Sequence, residues 1–209
     1  MWKASAVQQG KRFTLPLKGE ALSPKTLVEI DPKLVQLGTE YFHLHPSAAK
    51  IVNTDGRVYV RTTKAKFNLM IVDAYSQEIY IPFYLTTKEF FQECLGHLDQ
   101  NGILAMNVNT TSSNAPLLKA IERTLLTVFP HIYLAKAPGA YNELLVASKD
   151  PIGLPADSAL PRFLDGVRAS LALTWNTPNP GKGIILTDNH APVQQMTNQM
   201  IFNQLGAKL

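Results

Sequence analysis

The sequence holds a single cysteine, Cys94, so an internal disulfide is excluded and a reducing compartment is expected. It has no apolar run near the roughly 18 residues that cross a bilayer. Its first residues, MWKASAVQQGKRF, lack the apolar core of a secretory signal. A soluble, cytoplasmic chain with no membrane segment is the expectation. Spare charge is scarce as well. Lys3, Lys11, Arg12, Lys18 and Lys25 face only Glu20 within residues 1–25, and this stretch accounts for the whole formal charge of +4. A basic lead-in on a neutral body is poor support for a phosphate-binding face, so no nucleic-acid partner is expected. Ligand clusters are missing too. His43 and His45 form a pair without a third ligand, and Cys94 with His97 has no partners, so no metal site is expected. Internal repeats and low-complexity tracts are absent.

What is there is an apolar content of 45% over 209 residues, enough for one domain with a real core. The run FNLMIV, residues 67–72, is apolar on both faces. It predicts a central strand of a parallel sheet covered by helices above and below. Around it, strands are predicted at 26–30, 49–53, 103–108, 131–135 and 143–147. The last two are joined by a Pro138-Gly139 turn, and Asn101-Gly102 reads as another turn. Helices are predicted over 32–42, with Asp31 as N-cap and Leu34, Leu37 and Tyr41 as the apolar stripe, and over 117–129 and 160–171. A final helix follows DNHAPV, residues 188–193, and ends near Leu205. Thr86 with Glu89 fits a capping box that opens a further helix through Leu98. Cys94 lies on that helix's apolar face, as packing rather than nucleophile. Residues 58–60 start a short helix or strand, and residues 1–25 form a lead-in with at most one edge strand near Phe13. Alternating strands and helices that close on a hairpin indicate an α/β doubly wound sheet with an antiparallel edge.

Three carboxylates fall at successive predicted strand ends: Glu29, Asp55 and Asp73. In open α/β sheets ligands sit outside the carboxyl ends of the strands. One such carboxylate can accept both hydroxyls of a ribose, a second can read the exocyclic amine of adenine, and a third can take a proton at a reacting centre. The plainer readings are that Asp55-Gly56 is only a turn and that Asp73 only caps one.

The wording of the segments is more specific. VEIDPKLVQLGTEYF, NTDGRVYV and FNLMIVDAYSQEIYIPFYLTTKEFFQECLGHLDQNGILAMNV together resemble the spermidine and spermine synthase family, over about residues 26–195. IILTDNHAPVQQMT is similar to the C-terminal part of the family's bacterial membrane-fused branch. The resemblance implies a Rossmann-like, class I methyltransferase fold and a catalytic domain over residues 26–209, after the lead-in of residues 1–25. It implies aminopropyl transfer from decarboxylated S-adenosylmethionine to a diamine such as putrescine. S-Adenosylmethionine is the alternative co-substrate; neither is held as a tightly bound cofactor, and no metal is needed. Glu29 would then bind the ribose, Asp55 with Gly56 the adenine, and Asp73 would accept the proton of the attacking amine. Tyr75, Ser76 and Glu78 would line the substrate side. A homodimer is left open.

Two departures go with it. Polyamine-making members carry an acidic residue three positions after the catalytic aspartate, and here that position is Ser76, with Glu78 close by. The family also opens its nucleotide domain with a strand and a Gly-rich loop. The corresponding stretch QQGKRFTLPLKGEALSPK has only Gly10 and Gly19, so the first strand is expected to be lacking or replaced, and no N-terminal hairpin domain is visible. A non-catalytic nucleoside-binding relative and an S-adenosylmethionine-dependent methyltransferase are the alternatives.

Overall fold

The computed structural model describes residues 5–8 and 11–14 (backbone only), 25–42, 44, 49–76, 79–136, 142–153, 166, 169, 172, 174–181 and 183–206. Glu78, the two loop histidines, the Pro138-Gly139 turn and most of the helix expected over 160–171 lie outside them. The chain divides into two compact units, Met1–Tyr59 and Val60–Leu209.

In the first unit, β1 (Ser5–Gln8) and β2 (Lys11–Thr14) pair antiparallel. Two short strands thus stand where the sequence suggests at most one. β3 (Thr26–Glu29) and β4 (Lys50–Asn53) pair in parallel, with Glu29 opposite Asn53. Parallel neighbours need a crossover, and α1 (Pro32–Phe42) supplies it. Asp31 caps this helix as expected: its Oδ1 accepts the Lys33 N–H at 2.8 Å. The apolar stripe of α1 is not buried, however. Leu34, Leu37 and Tyr41 are 55%, 44% and 68% exposed. A two-stranded sheet is too narrow to cover such a face. α2 (Gly56–Thr62) follows β4 and settles the ambiguous 58–60 segment as helix.

The second unit is built on a sheet of order β5-β6-β8-β7. β5 (Phe67–Val72) runs parallel to β6 (Leu98–Asn109). β8 (Asn142–Ser148) lies antiparallel between β6 and β7 (His131–Lys136). This is the Rossmann-like arrangement expected, parallel at one end and antiparallel at the other. Yet β5 is not covered on both faces. It has a single paired neighbour among the described residues, and Ile71 is 67% exposed. On its other face Met70 and Val72 pack against the core, to which α3 (Lys88–His97) contributes Phe90, Phe91 and Cys94.

β6 also runs longer than expected. Asn101-Gly102 is no turn between elements but part of the strand, at a register irregularity against β5 between Phe67 and Leu69. A Cβ at residue 102 would stand 2.9 Å from the Phe67 carbonyl oxygen, so only glycine lets the strands approach there.

The capping threonine of α3 is Thr87, not Thr86. Thr87 Oγ1 accepts the Phe90 N–H at 3.3 Å and donates to Asp188 Oδ1 at 2.7 Å. Thr86 donates instead to the Phe83 carbonyl at 2.7 Å, and Glu89 receives the Asp188 N–H at 3.0 Å. The tie to Asp188, 101 residues along, selects between two adjacent threonines.

α4 (Pro116–Leu126) joins β6 to β7 and stops short of Pro130, which disfavours helix in the residue before it. The core gathers Phe91 and Cys94 of α3, Leu118, Ile121 and Leu125 of α4, and Leu104, Ile132 and Leu145 of the sheet, all almost inaccessible to water. Cys94 is packing, as expected. Each large side chain here contributes about 1.5–3 kcal/mol of burial. Leu186 joins this core, its N–H given to Thr124 Oγ1 at 2.9 Å and its carbonyl accepting the Lys88 N–H at 2.8 Å. α5 (Val193–Gly206) closes the chain. No helix of the described residues is long and apolar enough to cross a membrane.

Candidate functional site

In the first unit, parallel pairing puts Glu29 and Asp55 at the same end of the small sheet. The Glu29 carbonyl accepts the Thr54 N–H at 3.1 Å and the Asn53 side-chain amide at 2.8 Å. Its carboxylate Oε1 accepts the Asp31 N–H at 2.9 Å, which folds the chain into the turn before α1. Asp55 Oδ1 accepts the N–H groups of Arg57 at 2.8 Å and Val58 at 3.0 Å, so it is the N-cap of α2. Gly56 opens that helix, and a Cβ built there meets no atom within 4 Å.

In the second unit, Asp73 immediately follows the last residue of β5, exposed at the strand's carboxyl end. Its Oδ1 accepts the Asn107 side-chain N–H at 3.0 Å. Among the described residues its Oδ2 has no hydrogen-bond partner, which leaves a lone pair for a proton. Asn107 in turn accepts from the Asn142 amide at 3.0 Å, and that same amide donates to Asn109 Oδ1 at 2.6 Å. Asn107 and Asn109 are two apart on β6 and so share one face; Asn142 stands opposite Asn109 in the register. Donors aligned in this order polarise one another toward the carboxylate.

Tyr75 anchors the loop after Asp73 to the same strand. Its hydroxyl donates to the Asn107 carbonyl at 2.8 Å and accepts the Asn109 N–H at 2.9 Å. Burial pushes its phenol up to about 12, with the Asp73 charge adding to the rise and the Asn109 N–H opposing it. Ser76 is exposed and closes a short loop through paired backbone bonds with Tyr80, at 2.7 and 3.0 Å. Tyr80 donates to Asn198 Oδ1 of α5 at 2.8 Å, which ties this loop to the last helix.

A pocket of about 380 Å³ opens beside the asparagine chain, lined by Asn109 and Asn142 together with the apolar Ile79, Met200, Ile201 and Leu205. Sequence reading missed Asn107, Asn109 and Asn142. The signal available was the alternation N-V-N at the end of the run ILAM, which places two amides on one strand face. Among the described residues no three His, Cys, Asp or Glu side chains converge as metal ligands.

The family model that matches is the spermine/spermidine synthase domain, over residues 17–150. A probable polyamine aminopropyl transferase of Bifidobacterium longum (strain NCC 2705) is 33% identical over 136 residues, 64% of this chain and 30% of that protein. The polyamine aminopropyltransferase of Vibrio vulnificus (strain CMCP6) is 32% identical over 149 residues, covering 69% of this chain and 48% of that one. The chain thus spans half or less of the length of these two relatives. Among solved structures, a probable spermidine synthase from Corynebacterium glutamicum ATCC 13032 superposes with a TM-score of 0.61 at 20% identity, over 79% of this chain and 64% of that one, and shows the fold. With the domain match covering well over half of its residues, the chain belongs to the spermine/spermidine synthase family.

Proposed function

We propose that the chain transfers an aminopropyl group from decarboxylated S-adenosylmethionine to an amine, with putrescine the first acceptor to assay. The observation that carries this reading is Asp73, exposed at the carboxyl end of a parallel strand, with one oxygen held by Asn107 and the other left for a proton. The amine lone pair attacks the aminopropyl carbon next to sulfur. The carbon–sulfur bond breaks, sulfur keeps the electron pair, and neutral methylthioadenosine leaves. The new carbon–nitrogen bond makes the amine cationic, and it passes a proton to Asp73 and on to solvent. The carboxylate also favours the cationic nitrogen by charge. Glu29 is assigned to the ribose hydroxyls, Asp55 with Gly56 to the adenine, and Tyr75, Ser76 and Glu78 to the substrate side. Members of the family named polyamine aminopropyltransferase support the reaction class.

The test is incubation with the donor and putrescine, followed by mass analysis for methylthioadenosine and an aminopropylated product. Asp73→Asn should lower turnover roughly 10²- to 10⁴-fold, the usual worth of a general base. Turnover unchanged by that substitution would remove Asp73 from the chemistry. An N-methylated product would make the protein a methyltransferase instead.

A further inference from the structure

The match to the family stops at residue 150, yet a residue well beyond it reaches back to the segment that carries the proposed base. α5 is seated in the core by Val193, Thr197 and Met200, all buried and spaced i, i+4, i+7 along one helical face. Asn198, Ile201 and Leu205, at i, i+3, i+7, form an adjoining stripe. That stripe meets the chain after β5. Asn198 Oδ1 accepts the Tyr80 hydroxyl at 2.8 Å, and Ile201 and Leu205 line one pocket with Ile79.

The segment after Asp73 has two further anchors. On one side the Tyr75 hydroxyl is bonded to β6, and on the other Ile81 is buried in the core. Between them Ser76 and Tyr80 exchange backbone hydrogen bonds at 2.7 and 3.0 Å, and Ser76 Oγ donates to the Tyr80 carbonyl at 3.3 Å. Ser76 is exposed, so water competes for these bonds and each is worth little by itself. The Tyr80 hydroxyl bond is partly buried, where competition from water is weaker. A support that fixes Tyr80 therefore also steadies Ser76, its bonded partner.

We propose that Asn198 is a positioning residue for residues 73–76, acting through the Tyr80 hydroxyl and the paired bonds of Tyr80 with Ser76. Its role in turnover rests on the transfer reading, in which Tyr75 and Ser76 belong to the amine side. The anchoring itself does not, and can be measured without any reaction.

Amide hydrogen exchange followed by NMR is that measurement. Asn198→Leu should speed exchange of the Ser76 and Tyr80 amides roughly three- to tenfold, the usual worth of one neutral hydrogen bond. Core amides such as that of Leu104 should not change. Asn198→Asp keeps an acceptor oxygen and should exchange like the unaltered protein. Tyr80→Phe removes the same bond from the donor side, and decides the matter if Asn198→Leu does not fold. With decarboxylated S-adenosylmethionine and putrescine, the KM of the amine should rise by a similar factor. The kcat and the affinity for methylthioadenosine should hold, because Asp73 keeps its bond to Asn107. Exchange unchanged at both amides, or raised equally across the core, overturns the proposal. So does an Asn198→Asp protein that exchanges as fast as Asn198→Leu, or a loss in kcat with the amine's KM untouched. Faster exchange at the two amides in a protein that forms no aminopropylated product would uphold the anchoring by Asn198 and sink the transfer reading instead.

Discussion

Asn107 holds Asp73 by a single side-chain bond of 3.0 Å, and it is itself held by Asn142 at the same distance. The proposed base is thus aimed by a residue on the neighbouring strand. Hydrogen bonds to charged groups are worth about 1.5–3 kcal/mol, so Asn107→Leu should lower kcat by roughly tenfold or more. The donor's KM should stay near its original value, because a change in aim acts on the chemical step. Steady-state kinetics checks this split; a loss confined to KM would mean that Asn107 serves binding instead.

Tyr75 joins the same strand through both its donor and its acceptor. Tyr75→Phe leaves the Asn109 N–H and the Asn107 carbonyl without that partner, and should cost about 1–3 kcal/mol in a urea titration. The phenol also gives a pH signature. Its folded value is raised to about 12 from an ordinary 10, so the unfolded chain releases this proton first. Stability from this group is complete below pH 10 and falls as the pH rises from 10 toward 12. Tyr75→Phe should lose less stability than the unaltered protein across that interval.

Glu122 of α4 is buried with Glu143 of β8 nearby, and one oxygen of each has no partner among the described residues. Burial raises the Glu122 carboxyl; the Lys119 ammonium at 2.8 Å opposes the rise and the Glu143 charge adds to it. A raised carboxyl favours the protonated fold, so its contribution is complete below the ordinary value of 4.5 and fades as the pH climbs through the folded value. Glu122→Gln should therefore gain in melting temperature relative to the unaltered protein between pH 4 and pH 7. A constant offset across that range would contradict the assignment.

Gly102 is required by the close approach of β6 to β5. Gly102→Ala forces a methyl group against the Phe67 carbonyl and Leu98 Cβ, both at 2.9 Å. Overpacking of this kind costs typically about 1–3 kcal/mol. A urea midpoint unchanged by the substitution would show that the strands part without cost.

Much of this molecule was legible before any coordinates. Local patterns gave β3, β4, β5 and most helices, the Asp31 cap, and the packing role of Cys94. They failed where a distant partner decides. Thr86 and Thr87 are equally good caps in isolation, and Asp188 chooses between them. The run 67–72 promised cover on both faces, but cover depends on what packs above and below the sheet, and only the face of Met70 and Val72 meets the core while Ile71 is left exposed. The carboxamide chain was hidden for the same reason. Asn142 reaches Asn107 and Asn109 across 35 and 33 residues, through an antiparallel register that composition does not announce.

The stitch at Leu186 bears on how this protein can be cut. The family match ends at residue 150, which invites a shortened version that stops there. Such a fragment would lose the segment whose main chain fastens α3 to α4, and would open the hydrophobic interior beneath it to solvent. The matched module and the smallest piece able to stay folded are different objects here, and any trimming for crystals or assays has to keep the second.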